Sequence, residues 1–212
     1  MDPSTEPSGY VARLPIGQRL PLPEIAHWDM FPFEGDLQIK MLDPPLMPEP
    51  ARNGEPGGGE CRVCAEPERG VLWRDERWQV RYLGTPTGLP AVLMLYPNEH
   101  YDLEDLPDDL TAEFGLMIRR LSLAMRSLDG VARVHVNRWG DGAEHLHVWF
   151  LTRPAGMWQL RGTCLAIWDD LLPPVPDQEW ISNLRLVGNA LAAGGGRSFE
   201  PALPPAADSV PQ

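Results

Sequence analysis

Positive charge and long apolar runs are both scarce in this sequence. Lys and Arg number 18 against 30 Asp and Glu, which gives a formal net charge of −12. So acidic a chain repels a phosphate backbone, which argues against general nucleic-acid binding. No uninterrupted apolar run of about 18 residues occurs, so we expect no membrane span. The N-terminal MDPSTEPSGY lacks the basic and apolar regions of a signal peptide, so we expect a cytoplasmic protein.

Cysteine is scarce as well. The three cysteines are an odd number, which does not suit a disulfide framework. Cys61 and Cys64 form C-R-V-C, a spacing that lets two thiolates bind one tetrahedral ion. A thioredoxin-like redox pair shares the spacing, although no helix pattern follows at once and no βαβ arrangement surrounds it. Two thiols without any ligand are the third interpretation.

Proline divides the chain into three parts. The 24 prolines are concentrated towards the two ends, so residues 58–193 are predicted to form the globular domain. Residues 1–57 are predicted to be a Pro-rich extension, and 194–212 a disordered tail. Within the extension, the alternation of Leu37, Ile39 and Met41 with polar residues predicts a strand. We therefore expect a strap over about 24–43, anchored by nearby aromatic residues and followed by a Pro/Gly linker.

The central part has the pattern of an α+β domain. Strands are predicted over 71–76, 78–83, 89–97, 131–137 and 145–151. A long helix should begin at Pro107 and end at Gly130, with apolar residues spaced by three and four. Two further helices are predicted over about 157–171 and 178–192.

The motif EHLHVWF carries the strongest chemical signal. His145 and His147 are one residue apart, so on a strand both side chains point to one face. His100 stands just past the predicted strand 89–97. Cys61, Cys64, His100 and one of the two strand histidines could complete a Cys2His2 zinc site. Two imidazoles on one strand face are easier to satisfy in such a site than in plain packing.

The order of these motifs resembles the histidine triad (HIT) superfamily. The matching series runs from C-x-x-C through P-x-x-H and a strand ending in Asn to H-x-H-x-φ-φ-φ-x-R, over residues 61–154. That superfamily includes nucleotide hydrolases, dinucleoside polyphosphate phosphorylases and galactose-1-phosphate uridylyltransferases. The resemblance implies a HIT-like domain, with an antiparallel sheet and a long helix packed on it. It also implies a homodimer and a small-molecule nucleotide or phosphate ester as partner.

The resemblance assigns roles to single residues. It implies a structural zinc, with Cys61, Cys64, His100 and His145 as ligands. It implies that His147 attacks the α-phosphorus of a nucleotide and forms a nucleotidyl-histidine intermediate. Its implied substrate-binding residues are Asn137, which helps to hold the substrate, and Arg153, which matches an arginine that follows the triad in many members. Thr152 occupies the position where those members often have proline.

Three features depart from the superfamily pattern or stay ambiguous. Trp149 occupies the third triad position, and its indole offers one N–H donor and no acceptor. It could fill the phosphate pocket, stack on a base or belong to the core. Asp141 and Glu144 make the preceding loop acidic, which would repel a phosphate. His135 shares a strand face with Asn137, and is either a pocket residue or a packed strand residue.

Two functions of different kinds follow from the sequence. The first is a nucleotide hydrolase or nucleotidyltransferase that uses His147 as its nucleophile. The alternative is a HIT-like ligand-binding or interaction protein without nucleotidyl-transfer activity, or one adapted to a different reaction. A further variant has His147 bind the metal in place of His145, or has an open zinc position act as a Lewis acid.

Overall fold

One antiparallel sheet forms the centre of the molecule. The computed structural model describes residue 11 and residues 14–203, and within them the sheet has six strands. In chain order these are β1 (Val71–Arg74), β2 (Trp78–Tyr82), β3 (Val92–Pro97), β4 (Val131–Asn137), β5 (Val148–Pro154) and β6 (Arg197–Ser198). Their spatial order is β4-β5-β3-β2-β1-β6, and neighbouring strands are antiparallel throughout.

Helices accompany the sheet, which confirms the α+β class. The α-helices in the described residues are α1 (Arg62–Ala65), α2 (Asp108–Arg126), α3 (Leu165–Leu171) and α4 (Asp177–Ala192). Short 3-10 helices span Glu24–His27, Leu103–Asp105 and Gly162–Cys164. Over residues 14–203, no helix combines the length and the hydropathy that crossing a bilayer requires.

The main core lies between α2, α4 and one face of the sheet. There the periodic apolar residues of α2 pack against side chains from the strands and from α4. The buried residues of this core include Leu110, Met117, Leu121, Met125, Trp180, Leu184, Val187, Phe150, Leu93 and Leu95. Phe114 adds a ring stacked on Trp78, with 5.8 Å between centroids. Each fully buried aliphatic side chain of this kind contributes about 1.5–3 kcal/mol of transfer free energy. The predicted long helix is therefore confirmed, together with its buried face.

The opposite face of the sheet is only partly covered. Val92 and Leu151 point to this side and pack with Leu89, Leu160 and Leu165 in a second, smaller core. Side chains alternate between faces along a strand, so Met94 and Trp149 share this face with them. Both residues line a cavity, and Trp149 also packs against the edge of the second core.

The two histidines of the motif EHLHVWF lie just before a strand and not within it. β5 begins at Val148, so the prediction of a strand over 145–151 is wrong for its first three residues. The cause is that loop carbonyls, rather than a neighbouring strand, accept the backbone hydrogen bonds of this segment. The Leu146 N–H donates to the Tyr101 carbonyl at 2.7 Å, and the Glu144 N–H donates to the Asn53 carbonyl at 2.9 Å. These bonds to loops replace the sheet ladder.

The strap prediction is wrong in its secondary structure. Residues 36–41 form no strand in the structure, and Leu42 makes only an isolated bridge to Ile16. Alternating side chains are insufficient because no strand of the sheet lies alongside to supply hydrogen bonds. Met30, rather than the nearby aromatic residues, anchors the segment. It is buried, and its carbonyl accepts from the Trp168 indole at 2.9 Å.

Two predictions for the C-terminal part also need correction. The helix expected over 157–171 is α-helical only from Leu165, because Gly162 adopts φ +61°, outside the helical region. The tail expected to be disordered from 194 instead forms β6, which pairs with β1 through Trp73 and Ser198. The Gly195 carbonyl also accepts from the Trp73 indole at 3.0 Å. Residues 204–212 lie outside the described residues.

Candidate functional site

Four predicted ligands meet beside the carboxyl end of β3. Cys61 and Cys64 flank the start of α1, His100 follows β3, and His145 precedes β5. Their donor atoms all lie within 4.8 Å of one another. His145 is only 1% exposed, whereas Cys64 lies at the surface. The structure thus brings together three distant segments in one potential metal site.

The distances between donor atoms fit a tetrahedral ion. Nδ1 of His145 lies 3.5 Å from Sγ of Cys61 and 3.6 Å from Sγ of Cys64. Nδ1 of His100 lies 3.4 Å from Sγ of Cys64. A zinc ion with bonds of about 2.3 Å to sulfur and about 2.05 Å to nitrogen would separate such atoms by about 3.6 Å. The donor set and its spacing therefore suit zinc.

Both imidazoles are oriented by their other ring nitrogen. Nε2 of His145 lies 3.0 Å from the Pro97 carbonyl, and Nε2 of His100 lies 3.0 Å from the Glu144 carboxylate. Donation from Nε2 leaves the lone pair on Nδ1, the atom that faces the thiols. Burial lowers the pKa of His145 to about 4, so the ring is neutral at neutral pH. A neutral imidazole is the form that binds a metal.

Arg81 holds the cysteine pair against the sheet. This side chain on β2 is buried, and it donates to the carbonyls of Val63, Glu66 and Pro67 at 3.0–3.1 Å. It also lies over the Tyr96 ring, 5.6 Å from the centroid. The short helix α1 is therefore fixed by the sheet as well as by any bound ion.

His147 is set apart from the ligand cluster. Its Nδ1 lies 2.9 Å from the His145 carbonyl, an acceptor, so Nδ1 carries the hydrogen. Nε2 then holds the lone pair, and among residues 14–203 no group hydrogen-bonds to it. The ring lines a cavity of about 330 Å³. This geometry suits a nucleophile and does not suit a fifth ligand, so it favours His145 over His147 as the metal-binding histidine.

The cavity lies between the sheet face, the cysteine pair and two loops. Its lining residues are Asn53, Cys61, Arg62, Val63, Met94, Tyr96, Gly142, Ala143, His145, His147 and Trp149. Its volume is at the lower end of the range for ligand sites, about 300–1,000 Å³. Trp149 forms a wall of the cavity and leaves this space open. Its ring lies 6.0 Å from that of Trp139.

The other predicted substrate-binding residues are placed less directly. Asn137 stands opposite Trp149 on β4, and His135 stands opposite Leu151. Arg153 is buried and donates to the carbonyls of Pro154 and Met157 at 3.3 Å. None of the three belongs to the described residues that line the cavity. A role for them in binding stays a prediction.

Arg62 is a candidate that sequence analysis missed. It lines the cavity from within the C-R-V-C motif, and it is exposed. Its side chain makes no ion pair within the described part of the chain. Arg62 is also the only arginine among the described cavity-lining residues. The sequence did contain a signal for Arg62, namely its position between Cys61 and Cys64. Residues between two metal-binding cysteines lie close to the ion that the cysteines bind.

The N-terminal extension contributes a second missed residue, Asn53. Its N–H donates to the Gly142 carbonyl at 3.2 Å, next to the loop bond with Glu144 described above. Neighbouring Arg52 bonds Asp102 at 2.8 Å and the Gly140 carbonyl at 3.0 Å. Asp102 also pairs with Arg138. The supposed linker is therefore docked on the loop before the histidine motif, where it forms one cavity wall.

The carboxylates of the acidic loop, Asp141 and Glu144, do not line the cavity. Glu144 is engaged with His100, and this hydrogen bond is the main cause that raises the pKa of His100. Asp141 is exposed and lines a different groove, together with residues 46–55. The repulsion of phosphate that the sequence suggested is therefore reduced, because one carboxylate serves the ligand cluster and the other faces away.

Comparisons with known proteins give structural similarities only. No protein-family model and no curated protein match the chain. Among solved structures, a hypothetical histidine triad nucleotide-binding protein from Sulfolobus tokodaii is similar at 16% identity and TM-score 0.44, over 63% of this chain and 91% of that one. A zinc-bound histidine triad family protein from Mycobacterium smegmatis has 21% identity and TM-score 0.43, over 62% and 89%. A uridylyltransferase mutant has 19% identity and TM-score 0.43, over 63% and 46%. Each of these similarities is one of structure, at 21% sequence identity or less.

Proposed function

We propose that this protein transfers or hydrolyses the nucleotidyl group of a small nucleotide substrate, with His147 as the nucleophile. The observation that carries the proposal is the contact between Nδ1 of His147 and the His145 carbonyl. It directs the Nε2 lone pair away from the backbone, at the wall of an open cavity. A nucleophilic histidine needs both this tautomer and a fixed ring.

The ligand cluster helps to hold the nucleophile His147 in position. Zinc, when bound by Cys61, Cys64, His100 and His145, would supply folding free energy by joining three chain segments. The His145 carbonyl is the acceptor that orients His147, so fixing His145 also fixes the nucleophile. We assign the cluster a structural role, because all four donors are protein side chains and tetrahedral zinc then has no open position.

The cavity offers groups that can hold a phosphate ester. Arg62 provides a guanidinium that forms no ion pair with residues 14–203 and can bind two phosphate oxygens at once. Asn53 provides an amide, and Trp149 provides an indole N–H and an aromatic surface. Phosphoryl transfer depends chiefly on positioning the substrate and stabilising its charge. Arg62, Asn53 and Trp149 supply the types of group that these two tasks require.

Turnover measurements on two variants test the proposal. The full-length protein is incubated with dinucleoside polyphosphates and with nucleoside diphosphate sugars of uracil and adenine, and nucleoside monophosphate is quantified. We expect release by the native protein and by His27→Ala, and at least a ~10³-fold loss in His147→Ala. His27 is the matched control because it is an exposed histidine at the end of the 3-10 helix Glu24–His27, outside the cavity lining.

The alternative function, ligand binding without chemistry, predicts a different outcome. A Trp149 side chain that filled the space beside His147 would favour that alternative, but the space is open. Binding of the same nucleotides by calorimetry, with no turnover in any protein, would replace the enzyme proposal by this alternative.

A further inference from the structure

Among the described residues that line it, the cavity has a nucleophile but no side chain free to act as a general acid. When a phosphorus–oxygen or phosphorus–nitrogen bond breaks, a strongly basic leaving group needs a proton at that moment, usually from an acidic side chain nearby. The cavity lining therefore determines which leaving groups can depart. The ionisable groups that line it are few enough to be considered one by one.

Most of these groups are already committed. Cys61 and His145 belong to the ligand cluster. Nδ1–H of His147 is bonded to the His145 carbonyl, and its Nε2 would be joined to phosphorus. Arg62 does not give up a proton at any ordinary pH. None of these four can supply the leaving group with a proton.

Tyr96 is the remaining ionisable residue in the described part of the lining. Its side chain is buried, and its hydroxyl donates to the sulfur of Met94 at 3.0 Å. A phenol also has an ordinary pKa of about 10, which makes it a poor acid at neutral pH. Its hydroxyl is thus directed at a neighbour on the same strand rather than at the space beside His147.

Trp149 occupies the wall where an acid would be useful. It follows His147 by two residues, stands opposite Met94 on β3 and lines the same cavity. Its indole N–H can donate a hydrogen bond to a leaving oxygen, but it cannot transfer the proton. Carboxylic acids do not replace it in the described lining, since Glu144 is bonded to His100 and Asp141 lines another groove.

We infer that the site selects substrates whose leaving group departs as a weakly basic anion, that is, nucleoside phosphoanhydrides, and rejects phosphoramidates and alkyl phosphate esters. The inference rests on the proposed function of His147. The Nε2 lone pair forms a bond to the α-phosphorus, while the bond from phosphorus to the bridging oxygen breaks. Its electron pair leaves on the phosphate or pyrophosphate oxygen, which is stable without a proton. Water then attacks phosphorus, the electrons of the phosphorus–nitrogen bond return to Nε2, and the water gives one proton to solvent.

A pair of substrates with one nucleoside tests this selection. The zinc-loaded full-length protein is given a dinucleoside polyphosphate and the matching nucleoside 5′-phosphoramidate, and kcat/KM is measured for each. A missing general acid is worth about 10²–10⁴-fold, so we expect the anhydride to be favoured by at least ~10²-fold. Trp149→His should raise phosphoramidate cleavage by about 10²-fold relative to anhydride cleavage and add an acidic limb to its pH profile. Trp149→Phe, the matched control, should leave the preference as it is.

Comparable rates for the two substrates with the native protein would overturn the inference, as would an unchanged preference in Trp149→His. Should that variant fail to fold, aryl nucleotide esters of graded leaving-group basicity decide the question with the native protein alone. Their kcat/KM should fall steeply as the leaving group becomes more basic, and a flat dependence would contradict us. Failure of every substrate, anhydrides included, would instead refute the role of His147 and remove the inference with it.

Discussion

His145→Ala and His147→Ala should differ sharply in zinc content and in stability. The two rings are neighbours in sequence, yet only His145 belongs to the ligand cluster. His145→Ala removes one of four donors and leaves the Pro97 carbonyl with only the 3.5 Å bond from Nε2 of Gln79; a lost hydrogen bond of this kind costs about 0.5–1.5 kcal/mol by itself. Structural zinc contributes on the order of 10 kcal/mol to folding. His147→Ala removes one hydrogen bond to a carbonyl, worth about 0.5–1.5 kcal/mol.

These magnitudes predict well-separated melting temperatures. For a chain of this size, about 1 kcal/mol shifts Tm by about 2–4 °C. Losing even half of the zinc contribution therefore lowers Tm by at least ~10 °C in His145→Ala, and His147→Ala should stay within ~6 °C of the native protein. Calorimetry gives Tm, and elemental mass spectrometry after gel filtration gives zinc per chain. One zinc retained by His145→Ala, or zinc lost from His147→Ala, would refute the assignment of ligands.

Further variants test the surroundings of the site. Glu144→Gln weakens the acceptor for His100 and should reduce zinc affinity by about 10–100-fold in a chelator competition, with the fold retained. Burial raises the pKa of Asp102, but a backbone N–H and two arginines lower it to below its usual value. Its contribution to the free energy of unfolding is therefore full above the unfolded pKa of about 3.9 and lost as pH falls through the folded pKa, so Asp102→Asn should flatten the acid side of a stability–pH curve. Arg62→Ala should raise KM by about tenfold, one charged contact, with zinc unchanged, whereas Arg69→Ala outside the cavity lining should not.

Much of the fold was accessible from the sequence because local pattern and tertiary structure agree there. The three- and four-residue spacing in α2, and the apolar run of β3, report burial against the same core. The four residues of the candidate metal site could be named because few residue types bind soft ions, and the C-x-x-C spacing joins two of them. Homodimer formation and cytoplasmic localisation stay predictions.

The predictions that were wrong share a physical cause: contacts between residues far apart in sequence determined the structure of these segments. Residues 36–41 alternate as a strand does, but no neighbouring strand pairs with them. His145 and His147 lie outside β5 because the neighbouring N–H groups of Glu144 and Leu146 donate to loop carbonyls, those of Asn53 and Tyr101. Asn53 reaches the cavity through a segment that looked like a linker, held by an ion pair between Arg52 and Asp102. Neither composition nor periodicity records such pairings over a long separation in sequence.

Trapping the covalent intermediate tests the central claim most directly. The protein is mixed with a nucleoside diphosphate sugar or a dinucleoside polyphosphate, quenched in alkali and analysed by intact-mass and peptide mass spectrometry. The account predicts an acid-labile increment of one nucleotidyl group on His147, present in His27→Ala and absent in His147→Ala. An increment on another residue, or nucleotide turnover that persists in His147→Ala, would contradict it.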